Sequence, residues 1–250
     1  MLKELKVLKS HGTQYVKDLR TQPVSGLFRG RPAISADWTA PERKRVAEIC
    51  PVNAIDEGSG SLDLGKCVFC KECHFLFPDK IRFENDYRIA VNRRDDMIIH
   101  PGNMDPIRLR EDHIRKEIRK TFRGALKLRQ ISAGGDNSCE MELAATGNVN
   151  FDLGRYGVEF VASPRHADGI VITGPVSENM SEALNICYES IPEPKIIILA
   201  GTDAISAGIF DGSEALNRNF LQSHEIDLFV PGNPVHPLTF INGVMDLLGI

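Results

Sequence analysis

Five short apolar runs in the second half of the chain constrain its fold more than any other feature. Arg129–Ser132, Val158–Ser163, Gly169–Thr173, Lys195–Gly201 and Asp227–Gly232 are brief, rich in Ile, Val and Phe, and read as buried strands. Between them Cys139–Ala145, Asn179–Ser190 and a stretch after Ser213 read as helices. Strands that alternate with helices form an open, mostly parallel sheet covered on both faces, because a parallel neighbour is reached only by a long crossover. Right-handed crossovers then bring the strand-to-helix loops to one edge.

The first half has another texture. From Met1 to about Met97 it is loop-rich, with Pro and Gly scattered through it and Cys50, Cys67, Cys70 and Cys73 among the six cysteines of the chain. Six cysteines in 250 residues are too few for a disulfide scaffold. The 34 acidic and 30 basic residues leave a net charge of −4, which gives no electrostatic case for a nucleic-acid partner. The longest compact apolar run, Ile196–Ala200, falls far short of the ~20 residues of a membrane-spanning helix. The opening MLKELKVLKSHG mixes Lys with Leu instead of forming a continuous apolar core, so no export is expected.

Leu109–Leu128 joins the halves. Ile114, Ile118, Phe122 and Leu126 recur every fourth residue, with Arg115, Lys116, Arg119, Lys120, Arg123 and Lys127 around them, and the pattern predicts an amphipathic linker helix. Glu111, Asp112 and Glu117 break its positive field, which favours packing on protein over lipid or nucleic acid. At the N-terminus Leu2, Leu5 and Leu8 form a similar stripe, suited either to a partner or to a membrane surface.

Residues 67–73 read CVFCKEC, and seventeen residues before Cys67 stands Cys50-Pro51. Bacterial ferredoxins hold cubane clusters with C-x2-C-x2-C-x3-C-P runs, the fourth cysteine of each run serving the other cluster. Three thiolates on one tight loop each reach a different iron, and Cys50 is placed to meet the fourth. Cys50, Cys67, Cys70 and Cys73 therefore make one complete [4Fe-4S] site by spacing. A structural zinc site and an unmetallated cysteine group are the alternatives, although zinc ribbons pair two separated C-x2-C knuckles.

The same template shows what is missing. A run ending at Cys50 needs partners at 40, 43 and 46, which are Ala40, Arg43 and Val46, and the run starting at Cys67 ends on Phe77-Pro78 instead of Cys-Pro. All ligands of a second cluster are gone while both prolines remain. The pattern is that of a two-cluster ferredoxin reduced to one.

With these residues in view, Gly26-Leu-Phe-Arg-Gly-Arg-Pro32, Cys50-Pro-Val-Asn-Ala-Ile55 and Gly65-Lys-Cys-Val-Phe-Cys70 resemble the ferredoxin-like subunit of formate hydrogenlyases and the 23 kDa type of complex I. Tyr156-Gly-Val-Glu-Phe-Val-Ala-Ser-Pro-Arg-His-Ala-Asp168 and Thr173-Gly-Pro-Val-Ser-Glu-Asn-Met180 resemble the 20 kDa-type small subunit of group 4 [NiFe] hydrogenases and complex I. Together these resemblances imply a fusion. Residues 1–35 would form an extension for partner or membrane-surface contact and 36–100 an α+β ferredoxin-like domain with one [4Fe-4S] cluster. The linker helix would take 101–128, and 129–250 an α/β flavodoxin-like domain with a mostly parallel sheet.

In the small-subunit family a proximal [4Fe-4S] cluster is held by Cys-x2-Cys-Glu, Gly-x-Cys-Ala and Pro-Gly-Cys-Pro loops. The matching stretches here are Asp136-Asn-Ser-Cys139-Glu140, Gly201-Thr-Asp203-Ala204 and Pro231-Gly-Asn233-Pro234, so only Cys139 is retained. Each follows a predicted strand, and loops at the carboxyl ends of parallel strands share one crevice. Carboxylates are hard ligands ill suited to cluster iron and a neutral amide is worse, so this second, proximal cluster is expected to be absent. Cys187 reads as core rather than as a replacement ligand. Asp136, Cys139, Glu140, Asp203 and His236 leave open a single divalent ion, against the alternative of a solvated polar crevice.

Gly134-Gly135 lacks the rest of any phosphate-binding motif, and Arg93-Arg94-Asp95-Asp96 reads as a solvated turn. His166 gets no catalytic role. The resemblance implies an iron–sulfur electron-transfer subunit of a membrane-associated hydrogenase-like or complex I-like oxidoreductase, with catalysis in a partner chain. Its partners would be a large-subunit homologue of [NiFe] hydrogenase or complex I and other subunits. It would sit peripherally on the cytoplasmic face of the inner membrane. The alternative is a non-catalytic scaffold or regulatory paralogue whose second domain only docks partners.

Overall fold

The computed structural model of the chain describes residues 2–250, so Met1 of the expected extension lies outside it. The first half is built of short elements. Helix α1 (Leu2–His11) buries none of its side chains. Strand β1 (Pro32–Ile34) leads to α2 (Ala40–Glu48), β2 (Leu62–Asp63), α3 (Glu72–Leu76), β3 (Ile81–Phe83) and β4 (Ile98–Ile99). β1 pairs antiparallel with β3, and β2 with β4, as two separate two-stranded sheets. Helix α2 begins with a capping box in which Glu42 accepts from the Thr39 backbone N–H and hydroxyl.

The second half begins with α4 (Lys116–Phe122), β5 (Leu126–Ser132), α5 (Ser138–Ala145), β6 (Val158–Phe160), β7 (Gly169–Thr173) and α6 (Glu178–Glu189). It continues through β8 (Ile196–Ala200), α7 (Thr202–Ser206), α8 (Asn219–Ser223), β9 (Leu228–Val230) and α9 (Pro237–Leu248). The five strands form one wholly parallel sheet of order β6-β5-β7-β8-β9, the flavodoxin-like 2-1-3-4-5 arrangement. Every residue of β7 and β8 is buried, as a sheet covered on both faces requires. The expected strands are all present: β7 spans the expected residues, β6, β8 and β9 are shorter at their ends, and β5 begins three residues earlier, at Leu126.

The linker helix is shorter than its apolar period predicts. Only Lys116–Phe122 is α-helical, preceded by a 3₁₀ turn at Glu111–His113, while Leu126 and Leu128 enter β5. Ile114, Ile118, Phe122 and Leu126 are all buried, so the period located the apolar face correctly but not the conformation. Leu126 pairs with Val158 and Leu128 with Gly169, and these long-range ladders override the local helical pattern. Arg115 fastens the entry to α4 by donating Nε and Nη2 to the Asp227 carboxylate at 2.8 and 3.0 Å.

The two halves share a core. Ile131, Ile170, Ile172, Ile197 and Leu199 on one sheet face pack in the same cluster as Ile34, Val46, Leu62, Leu64 and Met97. The opposite face, with Leu128, Val171 and Ile198, meets α4 and α9. Val91 and Phe229 exchange both backbone hydrogen bonds, at 3.0 and 2.7 Å, so the first half also covers the β9 edge of the sheet. The extension is partly claimed by the chain itself: Leu19 is fully buried, and its carbonyl accepts from Tyr87 Oη and Asn242 Nδ2.

Candidate iron–sulfur site and the crevice of the second half

Four cysteines of the first half line one pocket. Cys50, Cys67, Cys70 and Cys73 line one small cavity of about 20 Å3, with Val52, Ala54, Ile55, Leu62 and Phe83 closing it. Local chemistry explains how the chain reaches this shape. Helix α2 ends at Glu48 and delivers Cys50, after which Asn53 turns with φ 48° and the Ala54 N–H points at the Cys50 sulfur, 3.2 Å away.

Asp63 organises the other approach. Its carboxylate takes the Gly65 N–H at 2.8 Å and both Arg94 Nη groups at 2.8 and 2.6 Å, and its carbonyl accepts from Cys67. Beyond Cys67, Phe69 and Lys71 adopt φ 54° and 71°. Two left-handed non-glycine residues on either side of Cys70 are costly, and such turns aim successive N–H groups inward. The Phe69 N–H indeed meets the Cys67 sulfur at 3.4 Å, and Cys73 lies in the first turn of α3.

Burial pushes both deep thiols up, Cys67 strongly and Cys73 to about 12, and the neighbouring cysteines add to the effect. These two buried thiols resist ionisation until a cation compensates them. Among the described residues no three His, Cys, Asp or Glu side chains are grouped so as to hold a single metal ion. The donor set, four sulfurs faced by backbone N–H groups, is of the kind that holds iron–sulfur clusters.

Of the positions that lack a second ligand set, Val46 and Phe77 are packed apolar side chains, while the Arg43 guanidinium donates to the Trp38 and Glu57 carbonyls. Val46 is fully buried, and Phe77 packs edge-on against Trp38 with ring centroids 5.3 Å apart. Arg45 lies over the Phe77 ring at 5.9 Å.

In the second half the loops after β5, β8 and β9 converge as the topology requires. Cys139 is half-buried, its sulfur beside Gly201. Burial pushes this thiol up to about 12, with the Glu140, Asp203 and Asp136 charges adding to the shift. The remaining three positions do other things. Asp136 is exposed and accepts from the Ser138 N–H and hydroxyl at 2.9 and 2.6 Å, which holds its carboxyl below the usual range. Asn233 is exposed. Asp203 is raised by burial and by the Asp136 charge, and its Oδ1 is buried without a hydrogen-bond partner.

The other candidates take structural places. Glu140 is buried and accepts from Thr173 Oγ1 at 2.6 Å. His236 caps α9 through its Nδ1, which accepts from the Leu238 N–H. Cys187 sits on α6 against the core. Where the β5–α5 and β7–α6 loops meet, a Cβ on Gly135 would lie 3.0 Å from the Gly174 Cα, so the two loops touch there.

Sequence reasoning missed Thr202. Its hydroxyl donates to the Cys67 carbonyl at 2.8 Å and so joins the crevice loop to the cysteine loop. It lies 135 residues from its partner, and nothing in either local sequence signals the contact.

Residues 137–247 match the protein family described as NADH ubiquinone oxidoreductase, 20 Kd subunit. The chain is 36% identical over 115 residues to the probable membrane-bound hydrogenase subunit mbhJ of Pyrococcus furiosus, covering 46% of this chain and 69% of that protein. It is 39% identical over 109 residues to a subunit of the NADH-quinone oxidoreductase of Geotalea daltonii, covering 44% of this chain and 64% of that protein, a little under two thirds of its length. A solved structure of the membrane-bound sulfane sulfur reductase (MBS), an archaeal respiratory membrane complex, aligns at TM-score 0.46 and 23% identity over 52% of this chain and 72% of that chain. Among the described residues no helix is long and apolar enough to cross a membrane.

Proposed function

Since the chain belongs to the 20 kDa-subunit family of NADH ubiquinone oxidoreductase, we propose that it is an iron–sulfur electron-transfer subunit of a hydrogenase-like or complex I-like membrane complex. The observation that carries this reading is the pocket formed by Cys50, Cys67, Cys70 and Cys73. In it the first half, 36–100, is a ferredoxin-like domain holding one [4Fe-4S] cluster on those four thiolates. The bound cluster would store and pass one electron at a time. The chain's own part is to present four sulfurs, to aim the Ala54 and Phe69 N–H groups at them, and to close the site with apolar side chains. N–H donors directed at sulfur favour the more negative, reduced cluster and so set its potential.

The second half favours a complementary role. Of the four proximal positions, Asp136 is engaged with Ser138, Asn233 is exposed, and Asp203 offers a hard carboxylate, leaving Cys139 as the one thiol. We read this crevice as empty of a cluster and the α/β half as a redox-silent adaptor. It would dock a large-subunit partner homologous to that of [NiFe] hydrogenase or complex I, on the cytoplasmic face of a membrane arm.

Iron, sulfide and zinc analysis of anaerobically purified protein, with EPR of the reduced form, tests both statements. About four irons per chain support one cluster, about eight would restore the proximal site, and zinc or no metal would leave a scaffold only.

A further inference from the structure

Thr202 stands in the emptied crevice, one residue before the carboxylate that replaces a proximal ligand, yet it faces the other site. The residue is 1% exposed. Its backbone N–H donates to the Gly232 carbonyl at 2.8 Å. Its hydroxyl lies 2.8 Å from the Cys67 carbonyl and 3.2 Å from that of Gly232. A hydroxyl has one proton, and Gly232 is already served by the backbone, so the shorter contact to Cys67 is its principal bond.

The surroundings make this contact rigid. Arg218 donates to the carbonyls of Asp203, Ala204 and Ile205 and so locks α7. Gly65, two residues before Cys67, packs so closely that a Cβ there would lie 2.9 Å from Ile205 and from Met97. On its far side the cysteine loop is held by Arg29, which donates Nη1 to the Phe69 carbonyl at 2.6 Å.

We infer that Thr202 is a positioning residue for the iron–sulfur site: from the crevice of the α/β half its hydroxyl fixes the Cys67 carbonyl and thereby the sulfur that Cys67 presents. The inference rests on the cluster reading above. It gives the β8–α7 loop a task that outlives loss of the proximal ligands. The donor also turns the positive end of its dipole toward the cluster loop, so removing it disfavours the reduced state.

The test compares wild-type chain with Thr202→Val and Thr202→Ser. EPR-monitored redox titration and iron content are read for each. Thr202→Val is expected to retain about four irons and to lower the one-electron reduction equilibrium about threefold, ~30 mV at 59 mV per tenfold, with altered EPR line shape. Thr202→Ser retains the wild-type values. Loss of iron from Thr202→Val but not from Thr202→Ser also supports the assignment. An iron-free wild type overturns the cluster reading itself. A loaded wild type whose potential and spectrum are matched by Thr202→Val overturns this inference alone, as does a Thr202→Ser protein that behaves like Thr202→Val or loses its iron.

Discussion

The Cys139 sulfur occupies the place beside Gly201 where a Cβ would need to be, 2.5 Å from that position. Gly201 also holds φ 96°, which L side chains rarely adopt. Gly201→Ala is therefore expected to destabilise the fold by about 2–3 kcal/mol, from overpacking and backbone strain together. Urea denaturation checks this, and combining it with Cys139→Ala should recover the packing part but not the strain part.

Cys139 itself is expected to be slow to react. With its thiol pushed up to about 12, its thiolate fraction at pH 8 is on the order of 10⁻⁴. Iodoacetamide should modify it at least about a hundredfold more slowly than a free cysteine in peptide, with the rate climbing as pH rises. Cys139→Ser should leave the iron content of the chain unchanged, whereas Cys67→Ser should remove it.

The extension between α1 and β1 is structural where it crosses the α/β half. Leu19 is fully buried among residues of α9 and the sheet. Leu19→Ala should cost about 2–4 kcal/mol in denaturant midpoint measurements, the range for deleting a buried leucine. A midpoint unchanged from wild type would mean the extension is not docked in solution.

Asp227 is buried and accepts from Arg115 and from the Ile197 N–H at 2.9 Å. Asp227→Asn removes the charge while keeping the shape, and leaves Arg115 half-buried without a counter-charge. About 2–3 kcal/mol of stability should be lost, since charge-assisted bonds are the stronger kind. Hydrogen exchange of the β8–β9 edge should report the loss first.

Glu42 gives a pH signature. Lys80 and the Thr39 capping contacts pull its carboxyl from an ordinary 4.5 down to about 2. A group whose folded value is depressed contributes stability above its unfolded value and loses it as pH falls through the folded one. The stability gap between wild type and Glu42→Gln should thus be full above pH 4.5 and close as pH drops toward 2, in parallel thermal melts. A gap that widens on acidification would contradict the capping box.

Much of this molecule is written locally. The β-rich runs Gly169–Thr173 and Ile196–Ala200 are buried on both faces, and their composition alone marks them as interior strands of a parallel sheet. The cysteine spacing is equally local, because three sulfurs within seven residues are brought onto one short loop. What the tertiary structure decided lies in contacts between distant residues. Leu126 left a helical period for a strand because Val158 offered a ladder, and Thr202 reached Cys67 across 135 residues. Periodicity encodes which face of an element is apolar, whereas the partner of that face, and the proton that crosses between loops, is set only when the whole chain has packed.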